Sequence, residues 1–189
     1  NQESYGIRKK VAVNAITLLS NKDSIFFPLK QSNVQHKIAY IGIGINKENA
    51  FVRRMKADFD AAVCLMDFSI NNTDSMLKIA DSIAGIYKHV IIGIHQTNRA
   101  PANNFGISTT ALQFISRLQQ KSKTMLLLFG NAYAAKNWCD ADNLAVCYED
   151  DSIVNNVAVD LLEGFSPFKG VLPVSVCDSY KFGYGIKTS

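Results

Sequence analysis

At 189 residues, with 48% hydrophobic and 19% charged residues, the chain can bury one good-sized core and reads as a single soluble domain spanning 1–189. Its net charge of +4 is mild, and the lysines and arginines are scattered rather than gathered into a stripe with aromatics, which argues against nucleic acid as a partner. The longest apolar runs, Val90 to Ile94 and Met125 to Phe129, fall far short of the ~20 residues that cross a bilayer, so no membrane span is expected.

In chain order, the opening at Asn1 has no charged-then-apolar signal pattern and reads as a mature product or an excised piece. Val11, Ala12, Ala15, Ile16 and Leu19 then fall at helical spacing, which predicts an amphipathic helix over Tyr5 to Leu19, broken at Asn21, Lys22 and Asp23. Phe26, Phe27, Pro28 and Leu29 make a short apolar hook. An alternation comes next: strand at Lys37 to Ile43, a helical face of Val52, Met55 and Phe59, strand at Ala61 to Phe68, helix at Met76 to Tyr87, strand at His89 to Ile94. It continues with helix at Thr109 to Gln120, strand at Thr124 to Phe129, a short helical stretch near Ala132 to Asn137, strand at Asn143 to Tyr148 and helix at Ser152 to Glu163. In the tail, Leu172 to Val176 is a candidate final strand and Gly183 to Gly185 a turn.

Strands apolar on both faces and separated by helices require a parallel sheet covered on both sides. The fold class expected is therefore α/β, a three-layer α/β/α sandwich around a mostly parallel, roughly six-stranded sheet. The cysteines Cys64, Cys139, Cys147 and Cys177 show neither zinc spacing nor the density of a disulfide-stapled mini-domain. They read as buried thiols acting as small hydrophobes, with one disulfide or a reactive thiol as the alternatives.

Open parallel sheets bind ligands beyond the carboxyl ends of their strands, so the loops there carry the candidate sites. Gly42-Ile43-Gly44-Ile45-Asn46-Lys47, with Asp67 a little over twenty residues on, resembles a dinucleotide fingerprint, but Lys47 stands where the third glycine belongs. A tight strand-to-helix turn is the preferred reading. The loop His95-Gln96-Thr97-Asn98-Arg99 is polar and rich in groups that bond hydroxyls, as a sugar would need; its plainer reading is a solvated loop. Gly130-Asn131 reads as a turn. Glu149-Asp150-Asp151 precede a helix, where carboxylates cap it and complement its dipole. His95 has no serine or cysteine close by in sequence, and His36 and His89 have no metal-ligand spacing. No catalytic triad, no metal site and no cofactor is therefore expected.

Val11 to Asn21 with Phe27-Pro28-Leu29, Phe129 to Tyr133, Tyr148 to Asp150, Phe168 to Ser175 and Phe182 to Ile186, taken in order, resemble the C-terminal domain of family 3 glycoside hydrolases. Val11 to Asn21 followed by Phe27-Pro28-Leu29 resembles that family's helix, "SITLLKN" strand and "LPL" hook, which makes Ile16 to Leu19 strand rather than helix. Phe129-Gly130-Asn131-Ala132-Tyr133 and Tyr148-Glu149-Asp150 resemble its "FGNPY" and "YED" stretches, most like the β-N-acetylglucosaminidase (β-hexosaminidase) branch. Phe168 to Ser175 and Phe182 to Ile186 resemble "PxGKLPVS" and "FGYGL". The resemblance implies a partner, an N-terminal (β/α)8 barrel domain of the same polypeptide that carries the nucleophilic aspartate and meets the carbohydrate substrate; nothing like that barrel lies in 1–189.

In the glucosidase branch the loop after a central strand supplies an acid/base glutamate. Here His95 to Ser108 contains no Glu or Asp, a departure that favours the acetylglucosaminidase branch, whose acid/base is a barrel histidine. The resemblance thus implies an accessory domain of a retaining β-N-acetylglucosaminidase or related β-glycosidase, with no catalytic residue of its own and no activity in isolation. His95, Gln96, Asn98, Arg99 and Asn131 would face the substrate or the barrel. A periplasmic or otherwise extracytoplasmic location is also implied by the resemblance. The alternatives are a non-catalytic scaffold or interaction module, and a nucleotide- or small-molecule-binding α/β domain.

Overall fold

The computed structural model describes residues 2–22, 26, 29 and 37–189. Within them α1 (Gln2–Ala15) leads into β1 (Thr17–Asn21), followed by β2 (Ala39–Ile43), α2 (Ala50–Phe59), β3 (Ala62–Met66), α3 (Thr73–Ile86) and β4 (His89–Ile94). After these come α4 (Thr109–Lys121), β5 (Lys123–Leu128), a 3₁₀ helix (Ala132–Trp138), β6 (Asn143–Val146) and α5 (Ser152–Leu162). The strands form one six-stranded sheet in the order β1-β6-β5-β4-β2-β3. β1 runs antiparallel to β6, and every other neighbouring pair is parallel.

Successive side chains of a strand point to opposite faces, and here both faces are apolar. Ile41, Ile92, Ile94, Leu126 and Leu128 pack with Met76, Ala80, Phe114, Leu118 and Trp138 on one side. Tyr40, Ile91, Met125 and Leu127 pack with Phe51, Val52, Met55, Val157 and Leu161 on the other. The molecule is thus a three-layer sandwich, with α3 and α4 covering one face and α2 and α5 the other. Each of these helices starts on a side-chain cap, from Asn49, Asn72, Ser108 and Asp151, whose oxygens accept N–H groups the helix leaves unpaired. Arg54 of α2 reaches Asp160 in α5 and Glu163 just past its end at 3.1 and 2.7 Å, tying the two helices of one layer together.

Three expectations change. The helix predicted over Tyr5 to Leu19 ends at Ala15, and Thr17, Leu18 and Leu19 are strand, fully buried against β6. Burial on the sheet decides there, because helical spacing alone does not distinguish a helix end from an apolar edge strand. Leu172 to Val176 adds no strand. Pro173 has no N–H for a ladder, and Leu172 instead exchanges hydrogen bonds with the tail, its N–H donating to the Tyr184 carbonyl and its carbonyl accepting from Gly183, each at 2.8 Å. The tail reaches the sheet further on, where Ile186 bridges Leu18. Finally, Cys139 and Cys177 form a disulfide across 38 residues, while Cys147 is buried and Cys64 half-buried as free thiols. The bond joins the end of the 3₁₀ helix to the tail, a proximity created by the fold rather than by spacing in the sequence. Of the apolar hook, Phe26 and Leu29 are buried in the core; Phe27 and Pro28 lie outside the described residues.

Candidate functional site

At the carboxyl edge of β4, β5 and β6 the loops enclose a cleft of about 570 Å³ lined by Gln96, Thr97, Arg99, Gly130, Asn131 and the stretch Tyr148 to Asp151. Two lining residues, Gln96 (φ 54) and Tyr148 (φ 69), hold left-handed backbone, a conformation that costs a non-glycine residue free energy and persists where its surroundings enforce it. Further along the loop after β4, Asn103, Asn104 and Phe105 form a left-handed turn, with Phe105 buried as its anchor. The Asn137 amide donates to Asn104 Oδ1 at 3.1 Å, fastening that turn to the 3₁₀ helix.

The residues expected in the site are placed differently from one another. Gln96 and Arg99 are exposed at the cleft. Asn131 also lines it, yet both ends of its amide are engaged: Oδ1 accepts from the Tyr133 N–H at 3.0 Å and Nδ2 donates to the Arg99 carbonyl at 2.9 Å. It staples one wall to the other. Asn98 is exposed and folds over Gly106, where an added Cβ would lie 2.8 Å from its Nδ2. His95 corrects the expectation of a loop residue facing outward: it has no exposed surface and lies beneath the cleft, its ring stacked on Phe129 at 4.4 Å. An apolar strand carries it straight into the core.

His95 belongs to a group that adjacency in sequence did not reveal. The Tyr40 hydroxyl lies 2.6 Å from His95 Nε2, and His95 Nδ1 lies 2.9 Å from Asp150 Oδ1. Asp150 also accepts the Gln96 backbone N–H at 3.1 Å and the Asn155 amide at 3.1 Å. Burial pushes the Asp150 carboxyl up, but the hydrogen bonds it accepts from His95, Asn155 and Gln96 outweigh it and hold the group below its ordinary value. Tyr40 is driven well above its ordinary value, first by burial and then by Asp150 and Cys147. Burial likewise raises the Cys147 thiol, which works as a small core residue rather than a nucleophile. The sequence did carry one signal, a tyrosine inside an apolar strand, since a buried phenol has to find a partner.

Asp151 is the cap anticipated for the acidic cluster, accepting from the N–H groups of Ile153 and Val154 at 2.9 Å each. Asp150 caps nothing and serves His95, Gln96 and Asn155 instead. The glycine turn after β2 is sterically required. Gly44 sits at φ 89 against the His95 carbonyl, where no side chain fits. Helix α2 starts only at Ala50, its first turn already capped by Asn49. A larger depression of about 710 Å³ opens at the amino edge, but two of its lysines, Lys22 and Lys121, are paired with Asp142 and Asp81, and it lies away from the loops that build sites in such sheets. Among the described residues no cluster of three or more His, Cys, Asp or Glu is placed to hold a metal ion, and no helix is long and apolar enough to cross a membrane.

No protein-family model matches the sequence. No curated protein matches it either. Solved structures do. A family 3 β-N-acetylglucosaminidase from Paenibacillus sp. str. FPU-7 superposes with a TM-score of 0.71 at 14% identity, over 93% of this chain and 33% of that one. A fungal multi-domain family 3 β-N-acetylglucosaminidase gives 0.67 at 19% identity, over 90% and 19%. A β-glucosidase from Listeria innocua gives 0.70 at 15% identity, over 99% and 34%. The chain thus spans between a fifth and a third of the length of these proteins, and what it shares with them is architecture: it has the α/β sandwich fold found as one region of family 3 glycoside hydrolases, the fold that the order of its motifs implied.

Proposed function

We propose that the chain is the accessory α/β domain of a family 3 glycoside hydrolase, a retaining, exo-acting β-N-acetylglucosaminidase, in which a barrel domain of the same polypeptide supplies the catalytic groups. The carboxyl-edge cleft would form part of the wall around the sugar. The observation that carries this reading is the state of the carboxylates at the cleft. Retaining hydrolysis by two carboxylates needs a nucleophile and an acid/base ~5–5.5 Å apart across the scissile bond. Here Asp150 is held by His95, Gln96 and Asn155, Asp151 caps a helix, and the loop from 95 to 108 offers no carboxylate, so that exposed Glu149 lines the cleft without a second disengaged carboxylate to form a pair. What the cleft does present is the exposed Gln96 amide and the Arg99 guanidinium, donors and acceptors suited to hydroxyl and acetamido groups. The structures it resembles include β-N-acetylglucosaminidases and β-glucosidases alike, so the support for the former branch is the loop from 95 to 108 without a carboxylate.

The test is Arg99→Ala and Gln96→Ala in the complete polypeptide, assayed on a chromogenic acetylglucosaminide and on a β-glucoside. A rise in KM for the acetylglucosaminide supports the assignment. Kinetics identical to the parent in both variants remove the cleft from the substrate site. We further propose an extracytoplasmic location, supported by the Cys139–Cys177 disulfide, since such bonds persist in oxidising compartments. Thiol alkylation of the protein in its source cells checks this, and two blocked cysteines that become reactive on reduction are the expected outcome.

A further inference from the structure

Beneath the cleft, three polar side chains from distant parts of the chain meet, the last of them also accepting from the buried Asn155 amide. Tyr40 comes from β2, His95 from the end of β4 and Asp150 from the turn after β6. The first two have no exposed surface, and Phe51 and Phe129 pack around them. Gly93 makes the arrangement possible, because a Cβ there would fall 2.5 Å from His95 Nε2 and collide with the Tyr40 hydroxyl. The group ends at Asp150, whose second oxygen receives the backbone N–H of Gln96, the left-handed residue that opens the loop after β4.

We propose that Tyr40, His95 and Asp150 form a directed hydrogen-bond relay that holds Gln96, and with it the loop from 96 to 99, in its cleft-forming conformation, so that His95 is a positioning residue. The inference goes beyond the accessory-domain reading and holds whether or not the cleft meets a sugar.

The direction of the relay is set by what each group has to give. Ionised Asp150 only accepts, so His95 Nδ1 is the donor at 2.9 Å. In the neutral ring this leaves Nε2 as the acceptor of the Tyr40 O–H at 2.6 Å. The phenol, which burial and the neighbouring Asp150 and Cys147 keep protonated, thereby finds the acceptor that a buried hydroxyl requires. The Asn49 amide nitrogen, 3.4 Å from Nδ1, is too distant to compete with the carboxylate. One imidazole tautomer therefore satisfies every contact, and it is set by the groups on either side of the ring. Turning the ring over would leave both the phenol and the carboxylate short of a partner. Asp150 is thus fixed in space, and with it the acceptor that offsets the backbone cost of left-handed Gln96.

Two measurements on the 189-residue chain decide the matter. Long-range proton–nitrogen correlation at His95 is expected to show a protonated, pyrrole-like Nδ1 and a pyridine-like Nε2 in the unaltered protein; the opposite tautomer, a mixture of the two, or a ring protonated on both nitrogens overturns the relay. Native-state exchange of the Gln96 amide is then compared across His95→Phe, Tyr40→Phe and the double variant. His95→Phe keeps an aromatic ring on Phe129 but removes the donor to Asp150, and is expected to speed Gln96 exchange about tenfold or more. Tyr40→Phe is expected to speed it severalfold. The double variant is expected to match His95→Phe alone, because the hydroxyl reaches Gln96 only through the ring. Gln96 exchange within twofold of the parent in His95→Phe overturns the proposal even if Leu126 and Leu127 in β5 exchange faster, since that pattern marks a role in global stability alone. Should a variant fail to fold, the tautomer of the unaltered protein still decides.

Discussion

Gly93→Ala isolates the steric condition on which the interior depends. The residue lies mid-strand in β4, level with Gly42 in the neighbouring β2. Its added methyl would fall 2.5 Å from His95 Nε2 and closer still to the Tyr40 hydroxyl. Neither group is the loose end of a flexible side chain, and both are wholly buried. Overpacking a filled core costs about 1–3 kcal/mol, and displacing Tyr40 from His95 leaves a buried polar pair unsatisfied for about another 1–3 kcal/mol. A loss of roughly 2–6 kcal/mol is expected, a fall in melting temperature of about 4–24 °C for a domain of this size. Gly85→Ala is the matched control. Gly85 is exposed near the end of α3, and a Cβ there meets nothing within 4 Å, so the same substitution is expected to stabilise by about 0.5–1 kcal/mol through helix propensity and the unfolded chain. Urea unfolding of both variants followed by circular dichroism provides the comparison. A Gly93→Ala protein within about 0.5 kcal/mol of the parent, beside a stabilised Gly85→Ala, would refute the claim that this glycine opens the space for the Tyr40–His95 contact.

Three further outcomes are expected. The Asp150 carboxyl is held below its ordinary value in the folded protein, so the unfolded chain takes up its proton first. Its contribution to stability is present above the unfolded value near pH ~4 and is lost as pH falls through the folded one; Asp150→Asn should be less stable at neutral pH and show a shallower acid slope in urea titrations. Replacing Cys139 and Cys177 together by serine opens a loop closed across 38 residues and should cost about 2–4 kcal/mol, read as a lower urea midpoint that the reduced parent reproduces. The 189-residue chain alone should not hydrolyse β-glucosides or β-N-acetylglucosaminides; turnover of a chromogenic acetylglucosaminide that Glu149→Gln or Asp150→Asn abolishes would place the chemistry in this chain after all.

The alternation of apolar runs with capped helical stretches made the central sheet readable in advance, because strands buried on both faces leave little room for another pattern. His89 to Ile94 has the same bounds in the structure as the apolar pattern gave it, and α2 presents the expected Val52, Met55 and Phe59 to the core. Position within a long-range pairing was harder to read. Ile16 to Leu19 fit a helical period, and only the resemblance pointed to strand. The polar relay was illegible for a related reason. Tyr40, His95 and Asp150 stand 55 residues apart in each step, and a search for neighbours in sequence treats each as isolated. The disulfide was open for the same cause, four cysteines without distinctive spacing. The site itself divided by depth: Gln96 and Arg99 reach the cleft as loop polarity implied, whereas His95, one residue earlier, is still governed by the strand that delivers it inward.

The antiparallel join of β1 to β6 also sets a timetable. The parallel strands assemble largely from segments that succeed one another in the chain, but the ladder partner of β1 follows it by roughly 120 residues, on the order of 6–25 s of synthesis at about 5–20 residues per second. For that interval Leu18 and Leu19, fully buried in the finished molecule, have no β6 to pair with, and when β6 arrives its outer edge is open until β1 returns to it. Ile186 bridges Leu18 only at the end. This edge of the sheet thus joins segments far apart in sequence, and until β6 is made β1 is a strand without its partner, the interval in which a nascent chain most needs protection from strand-to-strand association with its neighbours.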